Sequence, residues 1–122
     1  MDKKVYIIDG DHFDDLEGLY DQISAIMLPG IVWGHNLDAL NDVLYGDFGV
    51  LKEDFTLFWK NAARSRQKFG YEYTIAFWEK RFVRNPSLID KLEKARQHQG
   101  QTVFDVLLEI IYDHPQITLV LE

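Results

Sequence analysis

The sequence predicts an α/β fold: a small three-stranded parallel β-sheet packed with helices. Two observations carry it. Short apolar, β-branched or aromatic runs stand at residues 5–8, 55–59 and 117–121, and segments of helical period fill the chain between them. Strands separated by helices are joined by βαβ crossovers, which lay the strands parallel. At 122 residues the chain is read as one domain, 1–122, with a single modest core.

Val5-Tyr6-Ile7-Ile8 reads as a first strand buried on both faces and ended by Asp9-Gly10. Asp14 is placed to cap the next helix, with Glu17 three residues on and Phe13 as a staple. Leu16, Leu19, Tyr20, Ile23, Ile26 and Met27 then recur at helical spacing over residues 15–27. Gly18 inside that helix marks close packing, and Pro29-Gly30 breaks the chain. A short helix follows, capped by Asn36 and stopped by Gly46. Its buried face is Leu37, Leu40 and Leu44, with Val43 beside them.

Phe55 to Trp59 is the second strand, and Asn61 is placed to cap a helix over 62–69 that Gly70 stops. Residues 71–78 fit a strand or a helix. Asn85-Pro86-Ser87 opens another helix, and Thr102 caps a last one carrying Val103, Phe104, Val106, Leu107, Ile110 and Ile111, with Val106 and Ile110 expected to pack on the sheet. Ile117 to Leu121 closes the sheet.

Composition narrows function. Hydrophobic residues at 47% and aromatics at 14% exclude a disordered chain, and the absence of cysteine excludes disulfides and thiolate metal sites. No signal-peptide core or membrane-length apolar stretch occurs, so a cytoplasmic protein with no membrane partner is expected. The net charge of −7 is unevenly placed: residues 1–54 hold twelve acidic groups against three lysines, and residues 55–96 hold ten basic groups against four acidic. One strongly negative surface favours a basic partner and hastens its encounter.

Asp38 and Asp42 stand at i and i+4 on the helix face opposite its leucines, with Asn41 and Tyr45 alongside. Carboxylates so spaced repel by a few tenths of a kcal/mol on an exposed helix. A local rule bent without structural gain is where function is sought. Asp9, Asp11, His12, Asp14 and Asp15 form an oxygen-rich cluster, but it lacks the glycine register and twelfth-position carboxylate of an EF-hand. It is read as a turn and a helix cap, and no metal or cofactor is expected. No nucleophile motif, phosphate loop or zinc spacing occurs, so the chain is not read as an enzyme.

The run Trp33-Gly34-His35-Asn36-Leu37-Asp38-Ala39-Leu40-Asn41-Asp42 resembles the loop and second helix of the barstar family, intracellular inhibitors of ribonucleases. It joins cap, apolar stripe and acid pair in one stretch. Tyr6 to Gly10, Phe55 to Trp59, Thr102 to Ile111 and Ile117 to Leu121 resemble further pieces of the family in order, so the resemblance covers about residues 4–60 and 101–122. The stretch at roughly 61–100 is longer than the family's usual connection and is read as an insertion. The resemblance implies an inhibitor or immunity protein, with a basic ribonuclease-type toxin as partner; the oligomeric state is left open, with a monomer expected. It implies that Asp38 and Asp42 enter the nuclease active site, Gly34 and Asn36 hold the loop, and Glu109 adds a further acid. Trp33, His35, Asn41, Tyr45 and Asp47 complete the expected partner-binding set. The family has aromatic residues at the positions of Val32, Asn41 and Asp47 and an acid at that of His35, while Trp33 serves equally as anchor or as loop packing.

A second function class stays open. Lys60, Arg64, Arg66, Lys68, Lys80, Arg81 and Arg84, mixed with Phe69, Tyr71, Tyr73 and Trp78, compose a segment over 60–84 able to contact phosphates and stack on bases. In the leading reading no nucleic acid is touched directly.

Overall fold

The computed structural model describes residues 3–46 and 51–122. Three parallel strands, β1 (Lys4–Asp9), β2 (Phe55–Lys60) and β3 (Ile117–Leu121), form one sheet in the order β1-β2-β3. Lys4 pairs with Phe55, and Phe55 with Ile117. The sheet advances in one direction, and right-handed crossovers then put the connecting helices on one side of it. The side chains agree. Ile8, Phe55, Leu57, Trp59 and Ile117 are buried, whereas Val5 and Ile7 on the other face are 56% and 50% exposed. The expectation that β1 is buried on both faces is therefore corrected: β1 is an edge strand with one open face.

Helix α1 (Leu16–Met27) buries Leu16, Leu19, Tyr20, Ile23 and Met27. Its cap is Asp15, not Asp14. The Asp15 carboxylate accepts the Gly18 N–H at 2.8 Å, while Asp14 pairs with Arg64 at 2.5 Å. A Cβ on Gly18 would meet Phe13 Cβ at 2.7 Å, which accounts for a glycine in a helix interior. Helix α2 (Leu37–Leu44) buries Leu40, Val43 and Leu44, and Leu37 only in part. Gly46 beyond it takes φ 85°, as the expected stop requires.

Helix α3 (Ala62–Lys68) follows β2 directly. Asn61 is in the left-handed region and makes no side-chain cap. Its amide donates instead to Asp9 Oδ1 at 2.7 Å, tying the ends of β1 and β2. With the Asp11 N–H it holds the Asp9 carboxyl below its ordinary range. Residues 71–78 are resolved as helix: α4 (Tyr71–Phe82) turns Thr74 and Phe77 inward. Pro86–Leu88 makes a 3₁₀ turn before α5 (Ile89–Arg96). Helix α6 (Val103–Tyr112) opens on a capping box between Thr102 and Asp105. It buries Val103, Phe104, Leu107 and Ile111, with Val106 and Ile110 partly buried beside them.

The core gathers where α1, α2 and α6 meet the sheet, around Trp59, Phe104 and Leu40. Two of the buried polar groups, Ser65 and Thr74, are paired. Trp59 Nε1 donates to Ser65 Oγ at 3.0 Å, and Thr74 Oγ1 accepts the Val103 N–H at 2.9 Å.

Candidate functional site

The loop before α2 and the outer face of α2 form one surface. Asn36 begins it: its Oδ1 accepts the Ala39 N–H at 2.8 Å and its amide donates to the Gly34 carbonyl at 3.2 Å. The residue that caps the helix thus also folds the loop. Val32 projects outward, 91% exposed. Trp33 points inward, 7% exposed, with Nε1–H donated to Ser24 Oγ at 2.6 Å and its ring edge-on to Tyr20. Of its two sequence readings the structure shows loop packing. His35 follows at φ 45°, its ring 4.6 Å from that of Trp33.

On α2 the leucines face the core and the acids face outward. Asp38 and Asp42 are exposed, and among the described residues neither carboxylate has a hydrogen-bond or ion-pair partner. Tyr45 is exposed on the same side, its ring 4.3 Å from His114. Asn41 is half-buried, with Oδ1 2.8 Å from His114 Nε2. Glu109 on α6 is exposed and accepts from Gln101 at 2.5 Å. Asp47 lies outside the described residues.

Sequence reasoning missed His114. Its side chain is 1% exposed, and among the described residues its Nδ1 is buried without a partner. An amide oxygen only accepts, so Nε2 carries the ring proton and the orphan is a lone pair. Burial pushes the imidazole below its ordinary pKa of 6.5, against the opposing pull of Asp113. The folded state thus binds fewer protons than the unfolded one as pH falls below about 6.5. Stability is full above that value and declines as pH drops toward the folded pKa. Melting across mildly acidic pH is expected to show this decline, and His114→Gln to flatten it. The Asp9 contribution has the opposite origin and is lost only at lower pH, since its carboxyl titrates below 3.8.

Beside the loop, α1 and α4 bound a cleft of about 320 Å³ lined by Glu17, Tyr20, His35, Tyr73, Lys80 and Arg81. Burial raises both phenols, and Tyr73 Oη accepts the Leu16 N–H at 3.0 Å.

Parts of the basic segment 60–84 make internal contacts. Arg64 donates to the carbonyls of Gly10 and Phe13 and to Asp14. Arg66 lies over Phe104 and Arg81 over Phe77. Phe69 is wholly buried, and Tyr71 stacks on His98. Lys60, Arg66, Lys68, Lys80, Arg81 and Arg84 are nonetheless exposed.

Among the described residues no helix is long and apolar enough to cross a membrane. No curated protein matches the chain. The family model described as Barstar (barnase inhibitor) matches residues 3–78, which take in β1, α1, the loop, α2, β2, α3 and most of α4. That span is more than half of the chain and includes the whole α2 face, and the chain belongs to the barstar family.

Proposed function

We propose that this protein inhibits a basic ribonuclease by inserting the loop and the acidic face of α2 into its active site. The observation that carries the reading is the pair Asp38 and Asp42, exposed and without partners among the described residues, on a helix whose opposite face is core. A nuclease site built for phosphate presents Lys, Arg and His, and two fixed carboxylates satisfy that field with charge-assisted hydrogen bonds. Asn36 and the inward Trp33 hold the loop in shape before contact, which lowers the ordering cost of association. Gly34, Asn41, Tyr45, Asp47 and Glu109 complete the proposed contact set, with no catalytic group and no cofactor required. Residues 61–100 are proposed as an insertion within one domain.

The test adds purified protein to a panel of small basic ribonucleases, barnase among them, and follows RNA cleavage. Stoichiometric inhibition is expected, with association slowing as salt rises because the acidic face steers encounter. Inhibition of none of the panel, together with affinity capture that yields no nuclease, would remove the proposal.

A further inference from the structure

We propose that Glu17, Asp21 and His35 form a binding site for a divalent transition-metal ion of the zinc class. The site joins two elements. Glu17 and Asp21 stand one turn apart on α1, and His35 comes from the loop. His35 Nδ1 lies 4.0 Å from an oxygen of each carboxylate, and one ligand atom from each residue falls within 4.8 Å of the other two. Such a triangle has a point no more than about 2.5 Å from all three atoms, against about 2.0–2.2 Å for Zn–N and Zn–O bonds. Both carboxylate side chains are 74% exposed, and among the described residues their one ion-pair partner is His35, so a few tenths of an ångström of adjustment is open to them.

The two carboxylates favour a cation, and Lys80 and Arg81 line the same cleft. Glu17 and Asp21 repel one another at i, i+4 spacing, as Asp38 and Asp42 do. The distances of 4.0 Å are too long for hydrogen bonds, so the imidazole does not close the gap itself. The outer partners are set for ligation through Nδ1. Ser24 Oγ takes the Trp33 N–H with one lone pair at 2.6 Å and lies 3.2 Å from His35 Nε2. In the tautomer protonated at Nε2 that proton goes to Ser24 Oγ, and Nδ1 is the nitrogen left to ligate. The imidazole selects a transition metal over calcium or magnesium, which require oxygen donors. Glu17 and His35 also line the cleft beside α4, leaving space for a water or a partner side chain in the fourth position. The site stands independently of the nuclease reading.

The experiment is calorimetric titration of the chelator-treated protein with Zn²⁺ near neutral pH, with Co²⁺ absorption as a report of nitrogen ligation. One ion per chain is expected, unaffected by excess Mg²⁺, with a rise in melting temperature. His35→Asn, which suits the positive φ, is expected to abolish binding, Glu17→Gln and Asp21→Asn to weaken it, and Ser24→Ala to weaken it about 10–100-fold. Absence of saturable binding by the parent, or equal binding by the folded Glu17→Gln or His35→Asn variant, would overturn the site and leave an ion-paired cluster only.

Discussion

Asp38→Ala and Asp42→Ala are each expected to weaken inhibition of the cognate nuclease while leaving the melting temperature at or slightly above that of the parent. Each removes a charge-assisted contact worth about 1.5–3 kcal/mol, on the order of ten- to a hundredfold in Kd. A partner cation left buried without its counter-charge adds to the loss. The fold is spared because both groups are exposed and have no internal partner among the described residues. Removing one also relieves the repulsion within α2. Titrated inhibition beside thermal melting makes the comparison. Full inhibition by both variants would place the contact elsewhere, and unfolding would make the acids structural.

Leu40→Ala is expected to do the reverse. Leu40 is 2% exposed and packs in the core with Leu44, Leu57 and Trp59. Truncation leaves a cavity costing about 2–5 kcal/mol, which lowers the melting temperature by on the order of ten degrees. Inhibition measured well below that temperature should be retained, since the outward carboxylates are unchanged. A melting temperature equal to the parent's would show that the α2 stripe does not anchor the helix. The two experiments separate the faces of one eight-residue helix.

Where periodicity and chemistry agreed, the sequence was readable. The leucine stripe of α2, the Asn36 cap and the Gly46 stop needed only local rules, and the three strands stood out as apolar runs. Caps were less legible, because Asp14 and Asp15 both precede α1 and only tertiary contact with Arg64 decides which of them is free to cap. Asn61 was misread for a similar reason: its side chain is claimed by Asp9 from the neighbouring strand. Residues 71–78 are aromatic and neither alternate cleanly nor show a narrow apolar stripe, so α4 waited on its neighbours. The two-sided burial expected for β1 failed because an apolar run states hydrophobicity and not sheet topology. His114 had no local signal at all; its partners Asn41 and Tyr45 lie far away in sequence. The meeting of Glu17, Asp21 and His35 is likewise a product of the fold.

The pairing pattern also sets the order in which this molecule can be assembled. β2 stands between two strands drawn from opposite ends of the chain, since Lys4 pairs with Phe55 and Phe55 with Ile117. No two strands are joined by a tight turn, so each pairing must close a loop of nearly half the chain before any ladder bond repays the lost entropy. Helices form locally in under about a microsecond, whereas such distant parallel pairings place folding on the order of milliseconds to seconds. During that interval β2, with Phe55, Leu57, Phe58 and Trp59, is a naked aromatic strand with both edges free. A freshly made chain cannot complete its sheet until residues 117–121 have arrived.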